Sequence, residues 1–205
     1  MPKTREEMED LNRDHARRCN LLIQNQGESW WERRRALDDN SYRCLLGRIP
    51  QEDRGRVLEL GANSGGAFPS ILAMGFWTVE GVDILPENVE LGRNRGRDIR
   101  LAQMEDLGIY RAGEFDNVIS RHTLEHTSDP KRTVAEIWRV LRPGGWAAHV
   151  VPAFAGSERE PAHLTNWGVG DWRQSWTAQG FRVEFCRVED AFAGAELHMV
   201  CQKPG

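Results

Sequence analysis

A glycine loop that follows a short apolar run is the first feature whose residue types and spacing suit chemistry. Residues 57–60 read VLEL, which is typical of a central strand, and the run ends at Gly61. Gly65 and Gly66 follow, and after them apolar residues recur with helical spacing. A strand, a glycine turn and a helix together place backbone N–H groups and a helix N-terminus against a bound nucleoside or phosphate.

The spacing of the loop excludes two common nucleotide-binding motifs. A dinucleotide site needs a second glycine where Asn63 stands, and a P-loop needs a lysine that this loop lacks. What remains is E-x-G-x-x-x-G, with Glu59 near the end of the strand. A carboxylate at that point suits a ligand with an ammonium or sulfonium charge better than it suits a pyrophosphate.

This loop resembles motif I of the class I S-adenosylmethionine-dependent methyltransferases, whose usual form is E/D-x-G-x-G-x-G, and among them the type 11 methyltransferase domain. Asn63 replaces the middle glycine, and asparagine tolerates a positive φ better than most residues. The resemblance implies that S-adenosylmethionine is the cofactor. It also implies that the cofactor binds along Glu59, Gly61, Ala62, Asn63 and Gly65.

Polar residues beyond the loop extend the predicted cofactor site. Asp83 ends a second predicted strand at roughly the 20-residue spacing where a carboxylate accepts ribose hydroxyls. In the resembled family this acid has that role, so Asp83 and its neighbour Ile84 are assigned to the ribose. The family's adenine-binding segment corresponds to Gln103, Met104 and Glu105, where Gln103 replaces the usual aspartate. Either Gln103 or Glu105 is expected to hold the adenine, with Met104 flat against its ring.

The segment FDNVISRHTLEHTSDP closely resembles the family's FDxVxSxxxLEHxxDP. Its loop, with Ser120, Arg121 and His122, is expected to line the cofactor site at the carboxyl edge of the sheet. His126 either makes a structural hydrogen bond or faces the substrate. His163 belongs to a long loop after the fifth strand, where the family forms its acceptor pocket. It is either a general base or a residue that holds this loop.

The same histidines also satisfy H-x-x-E-H, a zinc-peptidase pattern. His122 and His126 would share a face with Glu125 if the segment were helical. However, Asp129 and Pro130 end any such helix quickly, and no third ligand is close in the sequence. We therefore predict no metal site.

The elements around these residues predict an α/β fold. The resemblance implies a Rossmann-like seven-stranded sheet of order 3-2-1-4-5-7-6, with the last strand antiparallel and helices on both faces. Asp129 and Asp171 are expected to cap the two later helices, and residues 143–145 to form a tight helix-to-strand turn.

Two domains are expected. Residues 1–53 are assigned to an N-terminal helical lid or cap, and residues 54–205 to the S-adenosylmethionine-binding methyltransferase domain. Trp30 and Trp31 either lie above the pocket or pack in the core.

Composition restricts the partners. The net charge of −4 gives no bulk attraction for nucleic acid or for an anionic membrane. Apolar runs are too short for a membrane span or a signal peptide, which predicts a cytoplasmic protein. The four cysteines are far apart and are expected to be reduced. The sequence carries no signal for a particular oligomeric state.

The predicted function is transfer of a methyl group from S-adenosylmethionine to an oxygen, nitrogen or carbon atom of a small-molecule acceptor. The departures at Asn63 and Gln103 leave one alternative open, a non-catalytic module that binds S-adenosylmethionine. A nicotinamide-dependent oxidoreductase is disfavoured by the missing second glycine.

Overall fold

The computed structural model describes residues 4–24, 42–153, 162–191 and 194–205 of the 205-residue chain. Its strands are β1 Arg56–Leu60, β2 Thr78–Asp83, β3 Ile99–Leu101, β4 Phe115–Arg121, β5 Leu141–Pro152, β6 Arg182–Ala191 and β7 Gly194–Gln202. Its helices are α1 Arg5–Gln24, α2 Phe68–Ala73, α3 Pro86–Asn94, α4 Pro130–Val140 and α5 Val169–Gln179. Residues 42–46 are also helical, and short 3₁₀ turns span Gln51–Asp53 and Leu124–His126.

The strands form one sheet of order β3-β2-β1-β4-β5-β7-β6, which confirms the predicted fold class. Neighbours from β3 to β5 are parallel, and β7 is antiparallel to both β5 and β6. The carboxyl ends of β1, β2 and β4 therefore meet at one edge of the sheet, where open α/β sheets bind their ligands.

Both faces of the sheet are covered, because successive side chains of a strand point to opposite faces. On β1, Val57 and Leu58 are both fully buried but belong to different hydrophobic clusters. The cluster around Leu58 includes residues of α4 and α5, and the cluster around Val57 includes residues of α2, α3 and the helical segment 42–46. Each fully buried aliphatic side chain contributes about 1.5–3 kcal/mol to the free energy of unfolding.

Three local predictions differ from the structure. Ser120 lies inside β4 rather than opening a loop. Strand pairing starts at Leu141, directly after α4, so residues 142–145 bulge out of the ladder instead of connecting the helix to the strand. Asp171 is not the cap of α5 but accepts the backbone N–H of Gly168, which precedes the helix, at 2.9 Å.

The cap predicted at Asp129 is confirmed. Its Oδ1 accepts the backbone N–H of Arg132 at 3.0 Å and so satisfies one of the free donors in the first turn of α4.

At the N-terminal end of the described chain, helix α1 belongs to the segment that was predicted to form the lid. Trp30 and Trp31 lie outside the described residues, so their two alternatives stay open. Within the described ranges, none of the helices combines the length and apolar character that a membrane crossing requires. The boundary at residues 53 and 54 stays a prediction.

Candidate functional site

A cavity of about 200 Å³ lies at the carboxyl ends of β1, β2 and β4, beneath α1. The part of its wall that the sequence predicted comes from four segments of the sheet edge. Its members are Gly61, Asn63, Asp83, Ile84, residues 103–105, His122 and His126.

The glycine loop turns sharply at the floor of this cavity. Gly61, Asn63 and Gly65 all adopt positive φ angles, of 65°, 51° and 72°. A side chain at Gly61 would overlap that of Thr123, which donates its hydroxyl to the carbonyl of Leu60 at 3.2 Å. Asn63 therefore keeps the backbone geometry that the usual glycine would supply, because asparagine is among the few residues that tolerate this region.

Asp83 is buried at the end of β2 and is held by three hydrogen bonds. Its Oδ2 accepts the backbone N–H of Asn63 at 2.8 Å, and its Oδ1 accepts the backbone N–H of Leu85 at 2.9 Å and the amide of Asn88 at 3.0 Å. Burial raises the pKa of Asp83, although these hydrogen bonds oppose the shift. A carboxylate has about four acceptor positions, so roughly one is left for a ligand hydroxyl.

In the third segment, protein groups bond to one oxygen of the Glu105 carboxylate. Its Oε1 accepts the hydroxyl of Thr127 at 2.7 Å and the backbone N–H of Ser128 at 2.9 Å. Gln103, Met104 and Glu105 all line the cavity. Both residues expected to hold an adenine, Gln103 and Glu105, therefore stay candidates for that contact.

Five predicted cofactor residues are not part of the described cavity lining, and several have structural partners. The hydroxyl of Tyr42 donates to the carboxylate of Glu59. The Oγ of Ser120 is 2.8 Å from Nδ1 of His149. Direct contact with the cofactor stays a prediction for Glu59, Ala62, Gly65, Ser120 and Arg121.

His122 lies between the end of β4 and the following 3₁₀ turn. Its φ is 49°, and the turn Leu124–His126 is too short for His122 and His126 to share a helical face, as the zinc-peptidase pattern requires. The Nε2 of His122 is 2.8 Å from Oε1 of Glu196, and its Nδ1 is 3.5 Å from Oε1 of Glu125.

The charges around His122 depend on one another. Burial lowers the pKa of His122, but Glu125 and Glu196 outweigh burial and the net shift is upward. Burial also opposes ionisation of Glu125, yet His122 and His126 together lower its pKa. The carboxylates and the imidazolium therefore stabilise one another in a largely buried site.

Three histidines from distant parts of the chain meet next to the cavity; His15 and His126 line it, whereas the predicted candidate His163 does not and packs against His126. The ring centroid of His126 lies 4.8 Å from that of His15 and 5.0 Å from that of His163. The Nδ1 of His126 is 2.9 Å from the carbonyl oxygen of Ala162. The loop that carries His163 is also tied down by Thr165, whose backbone N–H donates to the carbonyl of Glu125 at 3.0 Å.

Helix α1 contributes functional candidates that the sequence analysis missed. Glu9, Asn12, His15 and Ala16 line the cavity, and Nδ2 of Asn12 donates to the carbonyl of His126 at 2.7 Å. Their three- and four-residue spacing places them on one helix face, which is the signal that could have identified them.

Comparisons with known proteins agree with this geometry. Residues 58–149 match the family described as a methyltransferase domain. A ubiquinone biosynthesis O-methyltransferase of Xanthomonas oryzae pv. oryzae is 34% identical over 96 residues, which cover 44% of this chain and 40% of that protein. The chain thus spans less than half the length of such curated relatives.

Solved structures share the fold. A chain from the complex between the Haloferax volcanii Trm112 methyltransferase activator and a methyltransferase has a TM-score of 0.72 at 20% identity, covering 87% of this chain and 96% of that one. An S-adenosylmethionine-dependent methyltransferase of Thermotoga maritima has a TM-score of 0.69 at 19% identity, covering 92% of this chain and 97% of that one. The motifs, the strand order and the match of residues 58–149 to a methyltransferase domain together support a class I S-adenosylmethionine-dependent methyltransferase.

Proposed function

We propose that this protein transfers the methyl group of S-adenosylmethionine to a nucleophilic atom of a small-molecule acceptor. The observation that carries the proposal is the division of one cavity into two unlike sides. We call Gly61, Asn63, Asp83 and residues 103–105 the cofactor side. The acceptor side is the part of the cavity wall formed by His15 and His126, together with His163, which packs against His126. A cytoplasmic location follows from the sequence grounds given above.

The cofactor side fits S-adenosylmethionine. The positive φ angles at Gly61 and Asn63 keep the main chain close to the cavity floor, where a Cβ at Gly61 would collide with Thr123. Asp83 would accept a ribose hydroxyl with its remaining acceptor position, and either Gln103 or Glu105 would bind the adenine. When bound, the cofactor supplies a methyl group that its sulfonium has already activated.

The chain's own part in the reaction is to align the acceptor and to exclude water. Helix α1 lies over the cavity and is tied to the 3₁₀ turn by the hydrogen bond from Asn12 to His126. Because Nδ1 of His126 lies against a carbonyl, which can only accept, this nitrogen carries the proton in the neutral ring. Its Nε2 then has a lone pair that can accept a proton from an acceptor hydroxyl.

An oxygen atom is the acceptor favoured among oxygen, nitrogen and carbon. Curated relatives that match residues of this chain are named ubiquinone biosynthesis O-methyltransferases. A hydroxyl also needs the proton acceptor that the histidines offer, whereas a neutral amine does not. The net charge of −4 supports a small molecule rather than a nucleic acid.

Two measurements test this function. Calorimetry with S-adenosylhomocysteine asks whether the cofactor side binds its ligand, and absence of binding by the folded protein would refute the proposal. A tritiated-methyl transfer screen against cell extracts then asks whether a product forms. Binding without any labelled product would favour the non-catalytic module instead.

The catalytic assignment makes a prediction at His163. Changing His163→Ala should lower turnover by about 10²-fold, the usual contribution of a proton-transferring side chain, and leave cofactor affinity unchanged. The matched control is Gln174→Ala on the exposed side of α5, which should leave both quantities unchanged. Equal losses of turnover and cofactor affinity at His163 would show that the residue supports folding rather than catalysis.

A further inference from the structure

We propose that Glu125, His126 and His163 bind one divalent transition-metal ion at the acceptor side of the cavity. The site itself stands on geometry alone, whereas its role in catalysis rests on the proposed function. The sequence predicted no metal site because it showed no third ligand near His122 and His126. The structure supplies one by bringing the loop after β5 against the 3₁₀ turn.

The donor atoms and their spacing suit such an ion. One potential ligand atom from each of Glu125, His126 and His163 lies within 4.8 Å of the other two. Bonds of about 2.0–2.2 Å to zinc at a tetrahedral angle place two ligand atoms about 3.3–3.6 Å apart, so the longest separation must shorten by about 1.2–1.5 Å to close the site. Two imidazoles and one carboxylate are a donor set for zinc, iron(II), cobalt or manganese.

His126 is already oriented as metal-binding histidines are. Its Nδ1–H donates to the carbonyl of Ala162 at 2.9 Å, which fixes the ring and leaves Nε2 as the ligand atom. That Nε2 lies 3.9 Å from Oε1 of Glu125. Hydrogen bonds of this kind to a backbone carbonyl are the usual support of a metal-bound imidazole.

Glu125 gives the second, independent observation. Its side chain is only 4% exposed, and its Oε2 has no hydrogen-bond partner within the described part of the chain. A buried carboxylate oxygen without a partner is costly, and a bound cation removes that cost.

Two hydrogen bonds from Thr165 to main-chain carbonyls hold the loop that carries His163 against the turn that carries Glu125 and His126. The backbone N–H of Thr165 donates to the carbonyl of Glu125 at 3.0 Å, and its hydroxyl donates to the carbonyl of Thr127 at 2.7 Å. His163 therefore belongs to a loop that is fixed to the turn carrying the other two ligands. Because two separate bonds tie these segments, the juxtaposition is a built feature of the fold.

Three protein ligands leave coordination positions open, which is the arrangement of catalytic rather than structural metal sites. His126 lines the cavity, so an open position faces the acceptor. We infer that the acceptor belongs to the class of hydroxyl-bearing molecules whose oxygen can bind the ion. The ion would orient that oxygen and favour loss of its proton to solvent. With the ion bound, this replaces the proton acceptance assigned above to Nε2 of His126, because that lone pair is then engaged by the metal.

The test uses Co²⁺ as a probe, with the whole chain, calorimetry and visible absorption. The wild type should bind one Co²⁺ per chain. Glu125→Gln and His163→Asn should each weaken binding at least tenfold, while Glu90→Gln, an exposed carboxylate on α3, should bind as the wild type does. A folded wild type that binds no Co²⁺ at millimolar concentration overturns the proposal, as does unchanged affinity in both ligand variants.

Two further measurements on the same samples keep the result clear. Circular dichroism and urea unfolding establish that the variants are folded, and the metal comparison is made on those that are. Titration with S-adenosylhomocysteine reports the cofactor side separately. Normal binding of that ligand without Co²⁺ binding overturns the metal site alone, whereas Co²⁺ binding without it supports the metal site and overturns the proposed function.

Discussion

The two sides of the cavity are built in different ways. The cofactor side is made largely by main-chain turns that follow directly after strands β1 and β2. Asp83 is held by Leu85 and Asn88, which are close to it in sequence, and by the backbone of Asn63 in the glycine loop. The acceptor side is made by side chains from α1, from the turn after β4 and from the loop after β5. A site that depends on backbone geometry can be recognised from a local sequence motif. A site that depends on side chains from distant segments forms only when the chain folds.

The largest expected effect would break the cofactor side at its backbone. In Gly61→Ala the new Cβ meets Thr123 at a positive φ, which should lower the free energy of unfolding by about 2–4 kcal/mol and abolish measurable binding of S-adenosylhomocysteine. Urea unfolding and calorimetry measure the two effects. Gly66→Ala is the control, because nothing lies within 4 Å of its added Cβ. Equal behaviour of the two variants would show that the loop has no special backbone requirement.

The second-largest effect is expected from removing the buried carboxylate of the cofactor side. Asp83→Ala removes the acceptor of three hydrogen bonds and the proposed ribose contact, so binding of S-adenosylhomocysteine should weaken by about 1.5–3 kcal/mol. Asp98→Asn, an exposed acid just before β3, should bind normally in the same titration. Unchanged affinity in Asp83→Ala would remove Asp83 from the site.

A third prediction concerns the protonation of His149, a histidine that lies outside the acceptor side. His149 is fully buried on β5, stacks on Trp176, and its Nδ1 shares a hydrogen bond with Ser120. Burial lowers its pKa to about 3, so between pH 6.5 and 3 the unfolded chain binds a proton that the folded chain does not. Stability contributed by this group is therefore complete above pH 6.5 and falls by about 1.4 kcal/mol per pH unit below it.

Urea unfolding of the wild type and His149→Asn at pH 7, 6 and 5 measures this contribution. The difference between their free energies of unfolding should shrink as the pH falls, because only the wild type loses this term. Two parallel pH curves would contradict the assignment of His149 as a neutral buried group.

The smallest effect concerns the connection between α1 and the acceptor side. Asn12→Ala removes the hydrogen bond to the carbonyl of His126, which should cost about 0.5–1.5 kcal/mol of stability. Turnover should fall by a few-fold, with cofactor affinity nearly unchanged, because the loss lies on the acceptor side. Asp10→Asn on the exposed face of α1 serves as the control. A larger loss of cofactor affinity than of turnover would erase the distinction between the two sides.

The strand order could be predicted because apolar strands and turn residues are local signals that the family resemblance places in order. Gly61 and Asp83 line the cavity as expected for the same reason. Ser120 was predicted to open a loop because a polar residue follows the apolar part of the strand. The sequence does not show that this hydroxyl is buried inside β4, where it has a hydrogen bond with His149.

The acceptor side could be predicted only in part. His126 and His163 were identified singly, but their separation of 5.0 Å depends on how the loop after β5 packs against the turn. His15 and Asn12 were missed because their helical spacing shows that they share a face of α1, but not that this face meets the cavity. The three proposed metal ligands could not be recognised together for the same physical reason, since their proximity is a product of tertiary hydrogen bonds.

The position of β7 also sets an order of events during protein synthesis. Strand β6 lies at the edge of the sheet beside β7, and Glu196 of β7 holds the ring of His122. A nascent chain that has already made its glycine loop and Asp83 cannot anchor His122 until residues 194–202 have left the ribosome. Emergence of this strand is thus the step at which a growing polypeptide can first pair His122 with its second carboxylate partner.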